Sequence, residues 1–246
     1  MRNPYTSSFA AKVVTTGDPV FVKAAEEATA PWSARAQTSE IAASAVTGVM
    51  SPRMLGHGVV DGWRVLVFEY IEGRPVRLSL DSPDLAQVVG AVDRIGRIRP
   101  GRSAGLPTLV GRLREYIPPG RDGALRGDRL LHTDLTSANM IVRQDGRLAV
   151  VDWGRVAIGP RWAEIAFLGM NLVREGHDLD EVRRWMWHFP EWRRTPHRAP
   201  CPRRDVGGAL GRRSVLVVGT GRRPVPSRRG EPVTANGADP VRPPPV

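Results

Sequence analysis

The chain has little lysine, almost no cysteine and no long apolar run. Lys12 and Lys23 are the only lysines among its 36 Lys and Arg residues, so a lysine marks a place where the default cation was not used. Cys201 is the only cysteine. That excludes an intramolecular disulfide and a cysteine-based zinc site, and agrees with a reducing compartment. No stretch of about 18 apolar residues is present to span a bilayer, and residues 1–14 lack the charged start, apolar centre and cleavage pattern of a secretory leader. These absences predict a soluble, cytoplasmic protein with no membrane partner. What is present suffices for a core: 246 residues with 41% apolar content can build one large domain or two modest lobes.

The formal charge of +11 is unevenly spread. Residues 194–246 hold eleven Arg against Asp205, Glu231 and Asp239, a net of +8, whereas the preceding 193 residues carry 25 cations and 22 acids. The basic segment also contains ten Pro and seven Gly in 53 residues, a composition that buries too little apolar surface to order itself. A disordered tail is expected over 194–246. The break after Arg193 is abrupt in a segment that reads as amphipathic helix up to Trp192, which is the expectation for a replaced C-terminus or a shifted reading frame.

The most informative stretch runs from Leu130 to Asp152. An apolar strand leads into His132-Thr-Asp134, Asn139 follows five residues after Asp134, Asp145-Gly146 marks a turn, and a second apolar strand ends at Asp152. Phosphoryl transfer needs a base for the acceptor hydroxyl and hard oxygen donors for Mg2+. Asp134 suits the first task, and Asn139 with Asp152 suits the second. His132 is assigned to holding the backbone of this catalytic loop. An ordinary polar hairpin explains Asp and Asn in turns, but does not call for these four residues at these separations.

Upstream, residues 8–15 and 20–24 read as strands joined by the turn-forming Thr16-Gly17-Asp18-Pro19. Lys23 lies on the second strand, where a compact ammonium suits contact with phosphates. An Ala-rich helix over 34–46 would carry Glu40 towards it. Residues 63–70 read as an apolar strand entering a hinge at Ile71 to Pro75. Helices are expected over 84–98, 109–116 and from about 160 to 173. The acids Glu175, Asp178, Asp180 and Glu181 would either attract a cationic acceptor or form the hydrated end of a helix.

Taken together, Lys23, Glu40, the hinge from Phe68 to Gly73, His132-Thr-Asp134, Asn139 and Val151-Asp152-Trp153 resemble the aminoglycoside phosphotransferase and choline-kinase-like family, over residues 5–192. The resemblance implies an α+β, protein-kinase-like fold. Residues 1–71 would form a small antiparallel β lobe lacking its opening strand, and 72–193 a mainly helical catalytic lobe. It also implies ATP and Mg2+ as cofactors and a small-molecule hydroxyl as acceptor. By the same resemblance Asp134 is the base, Asn139 and Asp152 ligate the metal, and Lys23 supported by Glu40 contacts phosphate. Glu69 and Ile71 offer backbone groups to adenine. The loop that covers phosphate in the family corresponds to residues 5–9, which contain no glycine; Ser7 and Ser8 would supply its donors. Two other readings remain: a homologue that binds nucleotide or a partner without turnover, and nucleic-acid binding through the basic tail, which lacks the aromatic interleaving of a reading module.

Overall fold

The computed structural model describes residues 8–194. Ser7 and the expected tail beyond Arg194 lie outside the described residues. The described residues all belong to one compact unit.

Two hairpins make the first sheet. β1 (Ser8–Val13) and β2 (Val20–Glu26) pair antiparallel from Ser8 opposite Ala25 to Val13 opposite Val20, around the expected turn. β3 (Met54–Val60) and β4 (Trp63–Glu69) are joined by Asp61 and Gly62, with φ of 50° and 79°. Two successive left-handed residues are what a primed hairpin turn requires, and Asp-Gly is a favoured pair for it. The strand order is β1-β2-β4-β3.

Between the hairpins runs α1 (Pro31–Thr47), opened by Pro31 and closed at Gly48, φ 57°. Its buried residues Ala34, Gln37, Glu40, Ala43 and Thr47 recur every three or four positions and so define one face. That face mixes small apolar with polar side chains and packs against β2 and the Trp153–Arg155 turn. Gly154 approaches so closely that a Cβ there would lie 3.0 Å from that of Ala36.

The remaining elements are β5 (Gly73–Pro75), α2 (Leu85–Arg97), α3 (Leu109–Arg112), β6 (Arg129–Leu131), β7 (Met140–Arg143), β8 (Leu148–Val150), β9 (Ala157–Gly159), α4 (Arg161–Arg174), α5 (Leu179–Trp187) and α6 (Pro190–Arg194). β5, β7 and β8 form one antiparallel sheet, and β6 pairs with β9. The helix expected over 109–116 is shorter: α3 stops at Arg112 and a 3-10 turn covers Arg114–Tyr116. Of this segment only Leu109 is buried, and Tyr116 is exposed, so little packing energy is available to extend it.

α2 buries Val88, Ala91, Val92 and Ile95 at helical spacing, against Leu130, Met140, Val150 and Ile165 in a core that continues to Trp185 and Phe189. Each such side chain, fully buried, contributes roughly 1.5–3 kcal/mol before entropy is counted. The indole of Trp185 satisfies its Nε1–H on the Leu78 carbonyl at 2.7 Å. Asp84, almost wholly buried, ties the start of α2 to β5. It accepts from Arg74 Nη1 at 2.6 Å, Arg74 Nη2 at 2.8 Å and the Arg77 N–H at 2.9 Å. These bonds, the Arg74 pair first, hold its carboxyl down to about 2. Among the described residues no helix is long and apolar enough to cross a membrane.

Candidate active site

β6 delivers the candidate catalytic loop from a fixed base. Leu130 and Leu131 are fully buried, and the Leu130 N–H bonds the carbonyl of Ile98 just after α2 at 3.0 Å. His132 follows, itself fully buried, with its ring edge-on to Trp153 at 4.7 Å. Its Nδ1 lies 3.3 Å from the Asp134 N–H, which donates to it. That assignment leaves Nε2 to carry the proton and donate to the Val151 carbonyl at 2.9 Å. Burial pushes the His132 pKa down to about 4, so the imidazole is neutral. A buried, neutral ring bonded at both nitrogens shapes the loop and does not touch a substrate. His132, grouped with Asp134 as a candidate catalytic residue and assigned from the sequence to holding the loop, bonds that backbone at both ring nitrogens, while Asp134 beside it is half-buried and partly open to solvent.

The two expected metal ligands come together through the β7–β8 hairpin. Met140 lies opposite Val150, and the Val151 N–H bonds the Asn139 carbonyl at 3.0 Å. Asn139 and Asp152 are thus at the same end of adjoining strands. The Asn139 Nδ2 donates to the Asp134 carbonyl at 2.9 Å, which turns the amide oxygen away from the loop backbone. Asp152 has φ 61° and ψ 62°, a left-handed conformation that is uncommon outside glycine and is tolerated by Asp. Thr133, at φ 64°, is a more costly case because it is β-branched. Its hydroxyl donates to the Arg155 carbonyl at 2.6 Å, which helps to fix it.

Lys23 connects the first sheet to this hairpin. Its Nζ lies 2.9 Å from each Glu40 carboxylate oxygen and 2.7 Å from Asp152 Oδ1. Glu40 Oε1 also accepts the Trp153 N–H at 3.3 Å. Three ionisable groups separated by up to 129 residues therefore meet at one point. Burial alone would pull the Lys23 pKa down, but Glu40 and Asp152 outweigh it and the value ends above that of an ordinary lysine. Burial raises Glu40, offset in part by Lys23. Asp152 also feels burial, yet the ammonium holds its pKa below the usual carboxylate value. The group therefore keeps a protonated lysine beside an ionised Asp152.

α4 supplies a set of contacts that motif spacing did not reveal. The carboxylate of Glu164, only 1% exposed, accepts the backbone N–H groups of His132 and Thr133. Asn171 Nδ2 donates to the Leu135 carbonyl at 3.1 Å, and Glu175 Oε1 accepts the Ser137 N–H at 2.8 Å. Positions 164 and 171 are seven residues apart and so lie on one face of α4, and Glu175 caps the end of that helix. Together they grip the loop at three successive points. The signal in the sequence was a carboxylate embedded in Ala163-Glu164-Ile165, among residues that otherwise belong to the core. Burial pushes the Glu164 pKa up to about 7.

Other expected positions divide. Ser8 starts β1, half-buried and opposite Ala25, while Ser7 lies outside the described residues. The Glu69 N–H is already taken by the Arg53 carbonyl at 2.9 Å and that of Tyr70 by Pro19 at 3.4 Å. The Glu69 N–H is therefore engaged within the chain, where β4 meets the residue entering β3, and of its backbone groups the carbonyl is the one left for the expected adenine contact. The Ile71 N–H meets no hydrogen-bond partner among the described residues. The acids at 175–181 are engaged within the chain: Asp178 caps α5 through the N–H groups of Asp180 and Glu181, Glu181 pairs with His177 at 2.8 Å, and Asp180 pairs with Arg183 at 2.8 Å. Asp178, Asp180 and Glu181 belong to the start of α5, and Glu175 closes α4. Among the described residues no three His, Cys, Asp or Glu side chains cluster as a metal cage. The Asn139 and Asp152 set still fits Mg2+, which takes one or two carboxylates with waters and substrate phosphates.

Residues 97–197 match the phosphotransferase enzyme family. The match covers the catalytic loop, the β7–β8 hairpin and α4, and so contains Asp134, Asn139, Asp152 and Glu164. Lys23 and Glu40 fall outside it and are tied to it by the ion pairs described above. No curated protein matches the chain.

Proposed function

We propose that the protein is an ATP-dependent phosphotransferase of protein-kinase-like fold that moves the γ-phosphate to a hydroxyl of a small molecule. The observation that carries this reading is the meeting of Lys23 with Glu40 and Asp152, next to a loop that presents Asp134 and Asn139. A structural ion pair alone would not need the amide and the second carboxylate at the ends of adjoining strands.

In this mechanism Asp134 accepts the proton of the acceptor hydroxyl as its oxygen forms a bond to the γ-phosphorus. The bond from that phosphorus to the β–γ bridging oxygen breaks, and ADP leaves. Asn139 and Asp152 would hold Mg2+, which supplies neutralisation of phosphate charge. Lys23 contacts the phosphates while Glu40 keeps its ammonium in place. The Ile71 N–H is the hinge donor for the adenine edge, and Ser8 lies on the strand bordering the phosphates. His132, Glu164 and Asn171 preserve the loop geometry on which the base depends. The acceptor resembles an amino sugar or another hydroxylated metabolite in the reading taken from the family likeness.

ATP consumption measured across a panel of hydroxylated amines and metabolites tests the proposal. At least one acceptor should give transfer that disappears in Asp134→Ala. Acceptor-independent ATP loss of equal rate in both proteins would refute it, and would favour a nucleotide-binding homologue without turnover.

A further inference from the structure

A cavity of about 1140 Å³ is bordered by the turn between α1 and β3, by α2, and by the β7–β8 hairpin. None of Lys23, Glu40, Asp134, Asn139 or Asp152 lines it. Four guanidinium groups do: Arg53, Arg94, Arg143 and Arg147. Two acids answer them. Glu69 lies 3.3 Å from Arg143 and 4.0 Å from Arg53, and Asp145 lies 2.7 Å from Arg147. Arg94 has no ion-pair partner among the described residues. Four cations against two carboxylates leave an excess of positive charge facing one concavity, which attracts anions and concentrates them there.

Apolar side chains line the cavity as well: Val49, Met50, Met54 and Leu148. Val49 is 96% exposed, a branched apolar side chain presented to solvent at the cavity's rim. Ser51, 7% exposed, also lines the cavity. Size decides between ligand types. A bare phosphate would occupy a small part of the space and leave the apolar side chains wet, whereas small-molecule sites are mostly apolar with a few placed polar groups.

We propose that this cavity binds an amphipathic anion, a phosphate or carboxylate head held by Arg94, Arg143 and Arg147 with an apolar body against Val49 and Met54. Binding draws Arg143 from Glu69, the last residue of β4 before the hinge. The site thus adjoins the hinge without sharing the catalytic side chains.

Isothermal titration calorimetry of the full chain with octyl phosphate, below its micelle concentration, tests the proposal. Saturable binding at one site per chain is expected, at least tenfold tighter than that of inorganic phosphate. Arg94→Gln and Val49→Asp, both at exposed positions and checked for unchanged circular dichroism, should each weaken octyl phosphate at least tenfold. Lys23→Ala should leave it unchanged. Equal affinities for octyl phosphate in wild type, Arg94→Gln and Val49→Asp would overturn the proposal. Loss of binding in Lys23→Ala would assign the ligand to the catalytic cleft and overturn it as well. Inorganic phosphate binding as tightly as the alkyl phosphate would refute the amphipathic class.

Discussion

Replacing Glu164 with Gln should change how stability depends on pH, by an amount that follows from the burial of one carboxyl. Glu164 has an ordinary pKa of 4.5 when exposed and about 7 in the folded chain, because burial disfavours its charge more than the His132 and Thr133 N–H bonds favour it. The folded state therefore holds this proton more tightly than the unfolded state. Its contribution to stability is complete below about pH 4.5 and is lost as pH rises through about 7. At about 1.4 kcal/mol per pH unit the whole effect is about 3 kcal/mol. His132 has the opposite sign. Its pKa falls from 6.5 to about 4 through burial, so its contribution is complete above about pH 6.5 and is lost as pH falls through about 4. The two nearly cancel in the wild type between pH 4.5 and 6.5. Gln keeps the shape of Glu164 and an acceptor oxygen but does not titrate. Urea denaturation followed by tryptophan fluorescence, from pH 4.5 to 7.5, should show the wild type losing about 3 kcal/mol relative to Glu164→Gln. The variant by itself should become more stable with rising pH, because the His132 contribution is then unopposed. Parallel curves for the two proteins would refute the reasoning, as would a gap that changes in the other direction.

Four further outcomes are expected. Asp152→Ala should reduce turnover by at least a hundredfold and raise the Mg2+ concentration needed for half-maximal rate in any residual activity; unchanged metal dependence would remove Asp152 from the site. Lys23→Ala should raise the KM for ATP and lower kcat by roughly tenfold or more, while Glu40→Gln gives a milder form of the same change, measured by steady-state kinetics. Asp84→Ala should lower unfolding stability by about 2 kcal/mol through loss of its charge-assisted bonds, and the wild-type bridge should survive acid until pH falls below the ordinary carboxylate value of 3.8 towards about 2, as denaturation midpoints would show. Gly73→Ala should destabilise the β5–β7 pairing by about 1–3 kcal/mol, since a Cβ there would lie 2.3 Å from the Val142 carbonyl oxygen; an unchanged thermal midpoint would contradict this.

The sequence by itself determined what local chemistry can fix. The β1–β2 turn, the Asp145-Gly146 turn between β7 and β8, and the apolar period of α2 are set by residues close together in the chain, and the structure places those elements as expected. Asp61-Gly62 carried an equally strong hairpin signal, but β3 reads Met-Leu-Gly-His-Gly-Val-Val and its two glycines obscure the strand pattern. Spacing also grouped Asp134, Asn139 and Asp152 as candidates, because the loop and hairpin that hold them are contiguous. It could not decide which of the polar residues outside that stretch reach it. Only tertiary structure brings Lys23 and Glu40 to Asp152, buries His132 so that it serves the loop, and places Glu164, Asn171 and Glu175 against three loop positions. The reason is physical: a buried carboxylate is tolerable only where donors meet it, and those donors are backbone groups about thirty residues away, which carry no side-chain signature in the sequence.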